Sequence, residues 1–254
     1  MGVDRRLRVF GLSGSRETRF AVPPLAEAAF LLDFDGTLVD AVRAADDVVV
    51  PPGLTDVLAK LRAACGDALA IISRRPVEEI DRLLGDVPFA VAGERGIAIR
   101  HRPGGPIERA ALPPLPQHWL ARARDLVGTL PGTRLEHKDG GLILHYRAAP
   151  ESATTLRTAA AGWVSESKGE FLLQPGHMMW EIRPVGVDKG YAVSQVMQAP
   201  PFVGRKPVYV GDDHTDEEGV QTARQLGGVG FRISADFPTP AVFRAWLASL
   251  VAAR

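Results

Sequence analysis

Two short apolar runs, each ending on a pair of aspartates, restrict this chain more than any other feature. Ala28-Ala29-Phe30-Leu31-Leu32 leads into Asp33-Phe34-Asp35-Gly36-Thr37, and Val208-Tyr209-Val210 leads into Gly211-Asp212-Asp213-His214-Thr215-Asp216-Glu217. Runs that are apolar throughout, rather than alternating, read as strands covered on both faces. That pattern predicts an α/β fold with a parallel sheet between layers of helices. Ligands of such open sheets collect beyond the carboxyl ends of the strands. Two acidic strand ends, distant in sequence, are therefore expected to converge there as one site suited to Mg²⁺.

The intervening sequence keeps a βα rhythm and then breaks it. Leu54, Val57, Leu58 and Leu61 recur at helical spacing behind Pro51-Pro52-Gly53. Residues 68–72 read as a buried strand, Pro76 as the first residue of a helix carrying Val77, Ile80, Leu83 and Leu84, and 89–92 as a further strand. Arg102-Pro103-Gly104-Gly105-Pro106 and Leu112-Pro113-Pro114-Leu115-Pro116 are not element interiors. Beyond them the pattern is α+β: a helix over 117–130, strands 134–138 and 142–146 about Asp139-Gly140-Gly141, and a helix over 151–165. A second hairpin pairs 170–174 with 177–182 across Pro175-Gly176. After Pro184 the βα rhythm returns with a helix at 189–197 and strands at 208–210 and 229–233. A closing helix places Val242, Phe243, Trp246, Leu247 and Leu250 on one face. The predicted organisation is an arm at 1–27 with a short strand at 7–10, a core over 28–107 and 185–254, and an inserted cap over 108–184.

Thirty basic residues balance thirty acidic ones, so no global field favours nucleic acid or an anionic membrane. Cys65 is the single cysteine, which rules out an internal disulfide. No run of about 18 apolar residues suggests a membrane span, and the first residues lack the apolar stretch of a signal peptide. The expectation is a cytoplasmic monomer acting on a small molecule.

The acidic strand ends suit phosphoryl transfer, which can require up to about 20 kcal/mol or more of catalysis. Asp33 is the candidate nucleophile, since carboxylates form aspartyl-phosphate intermediates. Asp35 is placed to protonate the leaving oxygen and then deprotonate water. Gly36 allows a tight turn, and the Thr37 hydroxyl is expected to fix Asp35. Asp212 with Asp33 suits Mg²⁺, which takes one or two carboxylates together with water and substrate phosphate. Lys189 would neutralise phosphate and acidic cluster alike. Ser73, just beyond a strand, would hydrogen-bond a phosphate oxygen. Each feature alone is commonplace; their order along one chain is not.

That order resembles the haloacid-dehalogenase superfamily. The stretch from Gln198 through Asp212-Asp213-His214-Thr215-Asp216-Glu217 resembles the bacterial trehalose-6-phosphate phosphatases. So do Leu144-His145-Tyr146-Arg147, Gly176-His177-Met178-Met179-Trp180-Glu181-Ile182-Arg183-Pro184 and Asp188-Lys189-Gly190. The resemblance implies a Rossmann-like core under a mobile cap, and Mg²⁺-dependent hydrolysis of trehalose 6-phosphate. It implies that Asp33, Asp35 (through its carbonyl) and Asp212 hold the metal, and that Asp33, Asp35, Ser73 and Lys189 carry the chemistry. It also implies that Glu136, Lys138 and Glu181 grip the sugar; Arg95 and Asp213 are further candidates for substrate contact. Two departures stand out. Ser73-Arg74-Arg75 replaces the usual Ser-Gly-Arg, and Gly93-Glu94-Arg95-Gly96-Ile97-Ala98 replaces Gly-x-His-Gly-Ala-Glu. Two rivals share the same motifs: a phosphatase of another sugar phosphate, such as sucrose phosphate or mannosyl-phosphoglycerate, and a catalytically silent sugar-phosphate sensor.

Overall fold

The computed structural model describes residues 21–41, 48–138 and 140–252. The strand expected at 7–10, most of the expected arm, and Asp139 lie outside these residues. The first sheet contains β1 (Ala28–Leu32), β2 (Leu69–Ile72), β3 (Ala90–Gly93), β4 (Ala98–Arg100), β5 (Ile107–Arg109), β10 (Lys206–Gly211) and β11 (Val229–Arg232). Its strand order is β11-β10-β1-β2-β3-β4-β5. Pairings from β11 to β3 are parallel, whereas β4 and β5 add on antiparallel. All residues of β1 and β2 are buried, as strands covered on both faces must be. Helix α1 (Leu54–Ala64) packs with α7 (Pro240–Ala252), and α5 (Lys189–Met197) packs with α6 (Glu217–Gln225); α2 (Val77–Leu84) lies against β3 and β4.

Between β5 and β10 the chain builds a second layer. Strands β6 (Arg134–Lys138), β7 (Gly141–His145), β8 (Phe171–Gly176) and β9 (Met179–Pro184) form an antiparallel sheet in the order β6-β7-β9-β8. Helices α3 (Gln117–Thr129) and α4 (Ala153–Glu166) pack on it. Strand alternation divides its faces. Leu142, Leu144 and Ile182 enter a separate core with Trp119, Leu156, Trp163 and Phe171. On the other face, cross-strand register lines up Glu136, Ile143, Glu181 and Gln174 in one row.

Several expectations shift. Residues 102–106 form the connection between β4 and β5, so the expected core–cap division at 107/108 falls inside β5, which pairs with the core sheet. The segments linking the two layers are 110–116 and 185–188. The β8–β9 turn is His177-Met178, not Pro175-Gly176, because Gly176 pairs with Met179. Met178 supplies the positive φ the turn needs. Pro175 is tolerated because β8 is an edge strand, where a missing N–H breaks no ladder. Pro76 caps α2 from just outside, and residues 150–152 make a 3-10 turn before α4. On α7, Phe243 and Leu247 are buried but Val242 faces solvent.

Candidate active site

Register brings the predicted groups together. Leu32 pairs with Val210 on one side and Ile71 on the other, so β1, β2 and β10 end level. The Asp33 amide continues the ladder by donating to the Val210 carbonyl at 2.9 Å, and the Ser73 amide donates to Ala92 at 2.8 Å. The residues beyond these strand ends therefore share one rim. Lys189 reaches the rim as the first residue of α5, whose start is capped by the Asp188 carboxylate accepting from the Tyr191 amide.

Asp33 is 3% exposed and Lys189 1%. Lys189 Nζ donates to Asp33 Oδ1 at 2.8 Å and to Asp216 Oδ1 at 2.6 Å. The Thr37 hydroxyl donates to Asp33 Oδ2 at 3.0 Å, so it orients Asp33 and not Asp35 as expected. The tight turn after Asp33 explains the change, since Thr37 is four residues on and folds back over it. Gly36 adopts φ +77°, and a Cβ there would run into the Asp212 carboxylate.

Asp216 organises the second acidic strand end. It is fully buried. Its Oδ1 also accepts from the Tyr209 hydroxyl at 2.5 Å, and its Oδ2 accepts from the amides of Asp212 and Asp213, both at 3.1 Å. Asp213 in turn accepts from the Thr215 amide and hydroxyl at 2.8 and 2.6 Å, which completes a capping box around the turn. The other Asp213 oxygen lies 3.4 Å from Arg74. Asp213, expected on the substrate side, thus has one oxygen engaged in shaping the turn.

Oxygens of Asp33, Asp212 and Asp216 lie within 4.8 Å of one another. The Asp216 oxygens are saturated by four donors, which leaves Asp33 and Asp212 as the carboxylates open to a cation. Three carboxyl groups facing one ammonium crowd more acid than the single cation can balance. A hard divalent ion fits that charge and that all-oxygen donor set. The Asp35 carboxylate is not part of this cluster. Arg75 holds it, Nε donating at 2.8 and 3.1 Å and Nη2 at 2.8 Å, while Nη1 bonds Glu79.

The electrostatics follow from crowding. Burial pushes the Asp33 carboxyl well above the ordinary carboxylate range; Lys189 opposes the rise, and Asp216 and Asp212 add to it. Burial also works against the Lys189 ammonium, but Asp33 and Asp216 outweigh it and raise its pKa. Burial and the neighbouring Asp213 and Asp216 lift Asp212 to about 6. Asp213 falls to about 2, because the Thr215 hydrogen bond and the charges of Lys189 and Arg74 outweigh its burial.

A cavity of about 920 Å³ lies between the two layers, and Arg74, which lies 3.4 Å from Asp213, is on its wall. Its core wall includes Arg74, Glu94, Arg95 and Arg109; its opposite wall includes Glu136, Lys138, His145 and Glu181. Glu136 accepts from His145 at 2.8 Å and lies 3.4 Å from Lys138. These contacts outweigh its burial and hold its pKa below the ordinary range. All the predicted polar residues of the inserted module thus face this cavity. Three partners escaped the sequence reading: Asp216, Tyr209 and Arg75. The Asp213-x-x-Asp216 spacing of a capping box was a usable signal for Asp216. Arg75 stands where the resemblance places the arginine of Ser-Gly-Arg, which was a usable signal for it.

Residues 31–239 match the family model of trehalose-phosphatases. The chain is 36% identical over 209 residues to the trehalose-6-phosphate phosphatase of Escherichia coli, covering 82% of this chain and 78% of that one. It is 34% identical over 210 residues to a Sinorhizobium fredii protein named "Probable trehalose-phosphate phosphatase", covering 83% and 79%. The structure resembles the trehalose-6-phosphate phosphatase of Aspergillus fumigatus with a TM-score of 0.66 at 22% identity, covering 90% of this chain and 93% of that one. With its acidic strand ends and α/β core, the chain belongs to the trehalose-phosphatase family.

Proposed function

We propose that this chain is a Mg²⁺-dependent phosphatase that converts trehalose 6-phosphate to trehalose and phosphate. The observation that carries the proposal is the meeting of Asp33, Lys189 and Asp212 in a molecule whose interlayer cavity is lined by Glu136, Lys138 and Glu181.

In this reading Asp33 attacks phosphorus, its carboxylate fixed by Thr37 and Lys189. Asp35 gives a proton to the departing sugar oxygen, then takes one from the water that opens the aspartyl-phosphate. Arg75 grips both Asp35 oxygens, so one of them must be yielded for each transfer. Ser73 and Lys189 bind the phosphoryl oxygens. Asp33, Asp212 and the Asp35 carbonyl would hold Mg²⁺, which offsets phosphoryl charge when bound. The layer built on β6 to β9 acts as a cap hinged at 110–116 and 185–188. Closing it brings Glu136, Lys138 and Glu181 onto the disaccharide and excludes water. Charge-assisted hydrogen bonds from such residues suit a polyol. No helix among the described residues is long and apolar enough to cross a membrane, and a cytoplasmic monomer fits this chemistry.

Phosphate release from trehalose 6-phosphate, with Mg²⁺ and with EDTA, tests the proposal. Release that EDTA abolishes is expected. Release only from sucrose phosphate or another sugar phosphate would reassign the substrate, and no release from any would favour a silent binder.

A further inference from the structure

Two ion pairs join the layers: Arg183 of β9 lies 3.7 Å from Glu218 of α6, and a shorter pair spans the cavity wall. Arg95 follows β3 on the core side, and Glu181 lies within β9 of the cap. Arg95 Nη1 donates to Glu181 Oε1 at 2.5 Å. The two side chains are only 18% and 12% exposed. Exposed ion pairs contribute little because water screens them, and withdrawal from water removes much of that screening.

The core side of this contact is held rigidly. Glu94, Arg95 and Gly96 take successive positive φ angles of 52°, 59° and 100°. Residues with a Cβ rarely adopt that conformation, and it persists only where surroundings impose it. Here they do. The Arg95 amide donates to the Ser73 carbonyl at 2.9 Å and the Glu94 amide to the Arg75 carbonyl at 3.0 Å. Arg95 is therefore bonded to the loop that presents Ser73 and Arg75. Its side chain carries a further signal: Nε is buried without an acceptor, in a residue that lines the cavity. Buried donors are nearly always paired. A buried, unpaired donor in a residue on a cavity wall has bonding capacity that a ligand oxygen could fill once the Arg95–Glu181 pair parts and uncovers it.

We propose that Arg95 is a specificity-determining residue with two functions. In the free protein its Nη1 straps the cap to the phosphate loop through Glu181, and once that pair parts its Nε donates to an oxygen of the sugar. A Glu181 oxygen then accepts from a neighbouring hydroxyl, so guanidinium and carboxylate together read adjacent sugar oxygens. The sugar half of this inference rests on the trehalose 6-phosphate reading; the strap does not.

Small-angle scattering of the free protein reads the strap without substrate. Arg95→Ala and Glu181→Ala should each enlarge the radius of gyration, the double variant should enlarge it no further, and Arg95→Lys should stay compact. An Arg95→Ala protein as compact as the wild type overturns the strap. Kinetics read the sugar contact. Arg95→Ala should lower kcat/KM for trehalose 6-phosphate by about 10–100-fold, mainly through KM, and at least fivefold less for p-nitrophenyl phosphate. Arg95→Lys should recover only part of the loss, because it keeps the charge but lacks the Nε donor. Equal losses on both substrates, or full rescue by lysine, overturn the sugar contact. A wild-type enzyme active on p-nitrophenyl phosphate but not on trehalose 6-phosphate would instead refute the substrate reading, with the scattering result standing by itself.

Discussion

Asp216→Asn is the most informative single change, because it keeps the size of a fully buried side chain and alters only its charge and bonding. Asp216 accepts from Lys189, Tyr209 and the amides of Asp212 and Asp213. An asparagine has one acceptor oxygen. Its NH₂ must face either Lys189 and Tyr209 or the two backbone amides, and donors meet donors in both arrangements. Lys189 also loses one of its two counter-charges. Removing one partner of a buried ionic network costs about 3–5 kcal/mol. In a chain of this size that corresponds to a fall in Tm of about 10 °C. The turn carrying Asp212 loses its anchor as well, so Mg²⁺ affinity should drop by about 10–100-fold, the usual scale when a ligand's support is removed. Calorimetric unfolding with and without Mg²⁺, together with Mg²⁺ titration of activity, measures both effects. A variant within about 2 °C of wild type and with unchanged Mg²⁺ dependence would show that Asp216 does not organise the site.

Asp33→Asn should abolish turnover while leaving the circular dichroism spectrum intact; near-normal phosphate release would remove Asp33 as nucleophile. Glu181→Ala should damage hydrolysis of trehalose 6-phosphate far more than that of p-nitrophenyl phosphate, and parallel losses would argue against sugar reading by the cap. Asp212 titrates at about 6, above its unfolded value, so between the two the folded protein binds more protons. Metal-free stability should therefore fall as pH rises from about 4 to 6. Mg²⁺ binding should weaken about tenfold from pH 7.5 to 5, as protons compete for Asp212. Titration calorimetry at both values checks this, and a pH-independent affinity counts against Asp212 as a ligand. Arg74→Gly removes a loose pair with Asp213 from a side chain that is 43% exposed. It should change stability by less than about 1 kcal/mol, as measured by urea unfolding.

The parts of the fold legible beforehand were those where one physical signal dominates. β1 and β10 are uninterrupted apolar runs, and the start of α5 is marked by the Asp188 cap just ahead of Lys189. The rim of candidate site residues followed, because ligands of such sheets gather at the carboxyl ends of parallel strands. β4 and β5 were not legible: each is three residues long, and tertiary pairing at the sheet edge, not propensity, makes them strands. Pro175-Gly176 imitated a turn because composition does not reveal that the strand lies at an edge. Arg75 reaches the site through a long-range contact to Asp35, and the Tyr209 hydroxyl folds back onto Asp216 from the preceding strand; no periodic pattern encodes either.

Chemical trapping of the phosphorylated residue is the sharpest test that Asp33 performs nucleophilic catalysis on a sugar phosphate. The protein is mixed with trehalose 6-phosphate and Mg²⁺, quenched in acid, reduced with borohydride and mapped by mass spectrometry. Homoserine at position 33, absent when EDTA replaces Mg²⁺, is expected. Phosphate release without any modification there, or modification at another carboxylate, would contradict it.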